Sequence, residues 1–206
     1  MIYSANMLKT YKVCPQKYKL KYVDKFVLLQ NFEIFEKGKK IHALAYYYLK
    51  GDDISAFQNA LNVEEMALWE ILRTNEFFNK KTYRAEFDLN FRMGEFWIGG
   101  RIDAVVYEGK NYYILDYKTG SAPENPQEDL QTLVYLEALA QHLKGDFEEL
   151  KFVYIDLKNN CNVVVNYNLV HSEIIEHICR QIASEKFSPI SECKGCEYTK
   201  ICRVAS

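Results

Sequence analysis

The sequence predicts an α/β (α+β) domain with a central mixed sheet flanked by helices. Two observations carry this expectation. Apolar residues recur at helical spacing through most of the first third, and between residues 83 and 168 strand-like segments are interrupted by a single helical one. At 206 residues the chain suits one domain, 1–206, with a helical part over 1–80, a sheet-bearing part over 83–187 and a cysteine-rich tail over 188–206.

Ser4 reads as the N-cap of a short helix ending at Cys14-Pro15, and residues 16–23 add another turn or two. A longer helix is expected over 32–49, stopped by Gly51, with further helix over 54–60 and 64–78. At Tyr83 the texture changes. YRAEFDLNFRM alternates, and EFWIGGRIDAVVY and NYYILDYK continue as strands of a three-strand meander. EDLQTLVYLEALAQHL then carries Leu130, Leu133, Val134, Leu136, Leu139, Ala140 and Leu143 at helical spacing and stops at Gly145. KFVYIDLK and CNVVVNYN form two more strands, and SEIIEHICRQIASEKF a last helix. The helix between the two groups of strands is a crossover that can make the sheet mixed.

Hydrophobic residues make up 49% and charged residues 26%, a balance that excludes disorder. No run reaches the roughly 18 apolar residues of a membrane span. The start MIYSANMLKTYK also lacks an apolar secretory segment, so the expected location is the cytoplasm, with no membrane partner. Twenty-eight acids against 26 bases exclude a polycation. The average hides an asymmetry: in residues 1–50 ten lysines face Asp24, Glu33 and Glu36, leaving +7. With Tyr3, Tyr11, Tyr18, Tyr22 and Phe26 interleaved, this segment is either a track for a single-stranded nucleic acid or a solvated helical face whose tyrosines point inward.

The meander holds the chemistry. With Gly109-Lys110 as a two-residue type II′ loop, Asp103 falls opposite Asp116, their Cβ atoms about 4.5–5.5 Å apart, and Lys118 shares their face. Asp116 interrupts the apolar run Tyr112-Tyr113-Ile114-Leu115, where an unpaired carboxylate is expensive. A salt bridge to Lys118 is the plain explanation, yet two acids share that one lysine. Two carboxylates and a lysine suit magnesium or manganese and metal-assisted phosphodiester hydrolysis. Gln131 and Tyr135, four residues apart on the next helix, can hold phosphate or bases, unless Tyr135 is core beside Leu139. His42 is a metal ligand or an ordinary half-buried histidine, and Glu86 an accessory acid or a surface-strand glutamate.

Six cysteines in a cytoplasmic chain do not read as disulfides. Cys193, Cys196 and Cys202 have the close spacing of ligands to zinc or an iron-sulfur centre. Cys14, in a loop before Pro15, is the best fourth ligand, because Cys161 opens a strand and Cys179 sits mid-helix.

These residues resemble the RecB-type branch of the PD-(D/E)XK nucleases, specifically the iron-sulfur CRISPR-associated exonucleases of the Cas-four type, with the AddAB nuclease domains as more distant relatives. The likeness spans nearly the whole chain: Ser4, Cys14, Pro15 and Tyr18; His42; G-x-x-D at Gly100 and Asp103; D-x-K at Asp116 and Lys118; Q-x-x-x-Y at Gln131 and Tyr135; and the terminal C-x2-C-x5-C. It implies a restriction-endonuclease-like core over 83–187. It also implies a structural [4Fe-4S] cluster on Cys14, Cys193, Cys196 and Cys202 that clips the two ends together. A catalytic Mg2+ or Mn2+ would be held by His42, Asp103, Asp116 and the Tyr117 carbonyl.

The implied activity is a DNA exonuclease, commonly on single strands or overhangs and sometimes an endonuclease, working with the CRISPR integrase in spacer acquisition. Other readings remain: a stand-alone or phage-borne repair or recombination nuclease, a catalytically silent nucleic-acid-binding adaptor, and a zinc-clipped interaction module. Two facing acids beside phosphate argue against an adaptor.

Overall fold

A computed structural model describes residues 2–26, 33–168, 171–190, 193 and 195–202. The chain opens with β1 (Ile2–Ser4), α1 (Ala5–Val13) and α2 (Pro15–Tyr18), which runs into one π-helical turn (Lys19–Val23). Ser4 caps α1, its Oγ accepting from Met7 N at 3.2 Å. Pro15 occupies the first turn of α2, where its missing N–H costs nothing. α3 (Glu33–Lys50) ends before Gly51, whose φ of +79° suits glycine. The expected start at residue 32 lies outside the described residues. α4 (Ser55–Asn59) and α5 (Val63–Arg73) follow, the latter opened by a capping box of Asn62 and Glu65.

Two helices are shorter than expected. α5 stops at Arg73 and not at 78, because Asn75 Oδ1 accepts from Phe77 N at 3.0 Å and draws the backbone into a turn that buries Phe78. The last helix, α7 (His171–Ala183), stops short of 187, with Glu185 at φ +54°.

Between them lie β2 (Lys81–Met93), β3 (Phe96–Glu108), β4 (Asn111–Lys118), a 3₁₀ turn at Pro126–Glu128, α6 (Leu130–His142), β5 (Glu149–Asp156) and β6 (Cys161–Asn166). β2, β3 and β4 are the expected antiparallel meander. Crossing over through α6 brings β5 parallel to β4, and β6 returns antiparallel to β5, so the sheet is mixed. Gly109 has φ +62°, as a type II′ loop requires at its first position.

β1 was not expected; three residues are too few to show a period. It pairs parallel with β3, Ile2 opposite Trp97 through Ser4 opposite Gly99. β2 lines the whole of one edge of β3. On the other edge β4 pairs Ala104–Glu108 and β1 pairs Trp97–Gly99, so residues 100–103 are left between them without a ladder partner.

Each face of the sheet carries its own core. Leu8, Leu133, Leu136 and Ile175 from α1, α6 and α7 pack with Ile98, Ile102, Ile114 and Phe152 on one side. Ile41, Leu44, Trp69 and Leu72 from α3 and α5 pack with Ala104, Val106, Leu115 and Val153 on the other. β4 and β5 are thus covered on both faces, which accounts for their unbroken apolar runs.

Leu136, fully buried under the sheet, is expected to cost about 2–5 kcal/mol when changed to Ala. Val63→Ala, at a position 90% exposed, should stay within about 0.5 kcal/mol. Urea unfolding midpoints of the two variants measure the difference.

Candidate active site

The site forms where β3 stops alternating. Ile102 faces the α6 core and Ala104, two residues on, faces the α3 core, although strict alternation would place them together. The alternation of β3 therefore slips by one at Asp103. Its neighbour in register on β2, Glu86, has φ +43° and makes no ladder pair, and β4 pairs only as far as Leu115 opposite Ala104. The expected hairpin register holds over Ala104–Glu108, but the ladder opens before the Asp103–Asp116 pair. The freed Asp103 carboxylate accepts from Tyr117 N at 3.4 Å.

Around this opening four elements deliver side chains. β4 supplies Asp116, 5% exposed, and Lys118, whose Nζ lies 2.7 Å from Asp116 Oδ2. α6 supplies Gln131, whose Nε2 donates to Asp116 Oδ1 at 2.7 Å. α3 supplies His42, with Nδ1 at 3.3 Å from Asp103 Oδ1 and Nε2 at 3.0 Å from the Tyr117 carbonyl oxygen. Thus His42, Asp103, Asp116, the Tyr117 carbonyl, Lys118 and Gln131 come together. Gln131 thereby serves the carboxylate directly.

The electrostatics follow from burial. Burial pushes the Asp116 carboxyl well above its usual range; Lys118 opposes this and Asp103 adds to it. Burial by itself would lower the His42 pKa, but the hydrogen bond and charge of Asp103, with Asp116 and the Tyr117 carbonyl, reverse the direction and raise it. Both imidazole nitrogens face acceptors, the arrangement a protonated ring satisfies.

Tyr135 lies over Gly100. A Cβ at residue 100 would come within 2.5 Å of the Tyr135 ring, so the glycine of G-x-x-D is required by close packing and not by a turn. Burial, with Asp103 and Asp116 nearby, pushes the Tyr135 hydroxyl up to about 12. Sequence reasoning passed over Asp129, the N-cap of α6, which accepts from Gln131 N at 2.8 Å and pairs with Lys9 at 2.7 Å. An acid immediately before an apolar helical run was the available signal.

Other expected residues lie differently. Glu86 sits opposite Asp103 in the sheet, but its carboxylate is 3.5 Å from Arg101 and joins none of the contacts above. Four of the N-terminal lysines are engaged in ion pairs: Lys9 with Asp129, Lys17 with Glu197, Lys19 with Asp24 and Lys40 with Glu65. Cys14, Cys193, Cys196 and Cys202 line one small cavity with Leu20, Tyr198 and Thr199. Burial and the three neighbouring thiols push Cys193 up. Cys179 is core, and Cys161 is exposed at the start of β6.

Among the described residues no group of three His, Cys, Asp or Glu stands preformed around a single ion. The donors nevertheless fit a hard divalent cation. Asp116 Oδ2 is buried without an aligned hydrogen bond despite its ion pair with Lys118, and Asp103, a backbone carbonyl and an imidazole stand beside it. The four thiols share one cavity and are the donor type an iron-sulfur cluster takes, but no three of them stand preformed around one ion. No helix among the described residues is long and apolar enough to cross a membrane.

The pattern of the PD-(D/E)XK nuclease superfamily matches residues 3–203. No curated protein matches the chain. A crystal structure from Eubacterium rectale named "Putative exonuclease" superposes with a TM-score of 0.59 at 10% identity, over 98% of this chain and 88% of that one, a likeness of fold. The structure of SSO0001 is 20% identical over 93% of this chain and 95% of that one, with a TM-score of 0.45.

Gly100→Ala is expected to destabilise by about 1–3 kcal/mol through the forced displacement of Tyr135. Combined with Tyr135→Leu it should cost clearly less than the two single changes added together, as measured by urea denaturation. Additive costs would mean that the ring and the glycine are not in contact.

Proposed function

The chain belongs to the PD-(D/E)XK nuclease superfamily, and on that premise we propose that it is a divalent-cation-dependent DNA exonuclease acting on single strands or overhangs. The observation that carries this reading is the convergence of Asp103, Asp116 and Lys118 where β4 parts from β3. Asp103, Asp116, His42 and the Tyr117 carbonyl would hold Mg2+ or Mn2+. When bound, that ion polarises the phosphodiester and acidifies a water.

The protein's own part is positioning and charge. Gln131 clamps Asp116 Oδ1 and so fixes the direction in which Oδ2 points. Lys118 presents its ammonium beside Asp116, where it offsets negative charge growing on the phosphate. Asp103 is held by the Tyr117 N–H and His42. Tyr135 and Gly100 close one wall.

The cavity of four thiols supports a structural [4Fe-4S] cluster joining the chain ends. Here the binding energy of the cluster is folding energy, because Cys14 and the tail are separated by the rest of the chain. A role in CRISPR spacer acquisition with the integrase rests on the motif resemblance alone.

Asp103→Ala and Asp116→Ala are expected to abolish cleavage of end-labelled single and double strands in magnesium or manganese, and chelator should stop the wild type. Lys118→Ala should slow cleavage by about two orders of magnitude, the scale of one preorganised charge-stabilising group. DNA affinity should persist, since phosphate contacts outside the metal site carry most of it. Full activity in Asp116→Ala, or no cleavage by the wild type in manganese, would sink the reading.

Changing Cys14, Cys193, Cys196 or Cys202 to Ala should remove the brown absorbance of anaerobically purified protein, whereas Cys161→Ala and Cys179→Ala should keep it. A colourless, zinc-loaded wild type would replace the cluster with a zinc clip.

A further inference from the structure

Lys118 has four rotatable side-chain bonds and, among the described residues, one ionic partner, Asp116 Oδ2 at 2.7 Å, which accepts no aligned hydrogen bond. That contact alone does not fix where its charge sits. A second restraint lies beneath it. In the parallel β4–β5 pairing, Asp116 is in register with Tyr154, and the Lys118 ammonium lies 5.7 Å from the centroid of the Tyr154 ring. This is cation–π range.

The ring is itself held. Tyr154 is fully buried, packed against Phe152 with centroids 4.7 Å apart. Its hydroxyl is 2.7 Å from Thr132 Oγ1, a buried side chain on the first turn of α6, and Asp129 stands beside the same hydroxyl. Thr132 and Asp129 flank Gln131, the residue that clamps the other oxygen of Asp116. One helix end therefore restrains both the carboxylate, through Gln131, and the ammonium, through Tyr154. A phenylalanine would fill the core as well, but it would leave the ring untied to α6.

We propose that Tyr154 is a positioning residue: its ring, locked to α6 through Thr132, holds the Lys118 ammonium over the scissile phosphate. This role rests on the cleavage reading above and goes beyond it by naming what sets the direction of the lysine.

The test is single-turnover cleavage together with DNA affinity for Tyr154→Phe, Tyr154→Leu and Thr132→Val, each made in the wild type and in Lys118→Ala. Tyr154→Leu should slow cleavage about tenfold with DNA affinity unchanged, and Tyr154→Phe and Thr132→Val, which break the same tie to α6, by about three- to fivefold each. In the Lys118→Ala background all three should change the rate by less than about twofold, because the group they position is gone. Equal slowing in both backgrounds would make Tyr154 a packing residue only, and no slowing with Lys118 present would remove the role altogether. If Tyr154→Leu does not fold, the pair of Tyr154→Phe and Thr132→Val carries the same comparison. Failure of the nuclease reading is separate, since there the wild type does not cleave or Lys118→Ala cleaves as fast as wild type.

Discussion

A carboxylate buried inside a sheet is the constraint on which this structure depends. Asp116 is 5% exposed and follows an unbroken run of Tyr, Ile and Leu on its strand, and an ionised acid there must be compensated at once. Compensation comes from β4 itself through Lys118 and from α6 through Gln131, while β3 and α3 bring Asp103 and His42 to the same opening. Moving α6 by a few ångströms would take the Gln131 hydrogen bond from a buried carboxylate. α6 thus serves the buried carboxylate directly, while α3, on the opposite face of the sheet, serves Asp103 through His42.

The backbone makes room for this through local departures from regularity. Were β3 to alternate without interruption, Asp103 would sit in an ordinary ladder opposite Glu86 and Asp116. Instead Glu86 takes a left-handed conformation, both ladders skip Asp103, and the carboxylate becomes free to meet a backbone N–H and an imidazole. Strain of this kind, about 1–3 kcal/mol for one residue, persists only where surrounding packing over-determines it. Here that packing is the pair of cores on either side. The chain ends add a second closure: Lys17 pairs with Glu197 and the Tyr198 hydroxyl donates to the Phe26 carbonyl beside the thiol cavity.

Much of this was legible from residue order. The meander, the crossover helix, the N-cap at Ser4 and the Gly109 loop are local or short-range features, and their periods and turn residues are written in consecutive positions. The helix overruns at 78 and 187 were not legible, because Asn75 and Glu185 end helices by side-chain competition and a left-handed residue that propensity alone does not reveal. β1 was too short to read. Nor were the ion pairs of Lys9 and Lys17 legible, because their partners, Asp129 and Glu197, lie more than a hundred residues away in the chain.

By itself the sequence determined which groups are available: two acids and a lysine on a hairpin, a histidine on an early helix, a glutamine and a tyrosine one turn apart, and four thiols split between the ends. Local chemistry sets these, since hairpin register and helical spacing follow from turn type and backbone geometry over a few residues. Tertiary structure alone decided what each group does. That Glu86 turns to Arg101 while Asp103 turns to His42, that Gln131 holds a carboxylate, that Gly100 exists to admit the Tyr135 ring, and that Tyr154 lies under Lys118 all depend on which face α3, α6 and β5 present to β3 and β4. Those orientations arise from packing two separate cores against one twisted sheet. Packing is a non-local constraint, and no window of consecutive residues contains it.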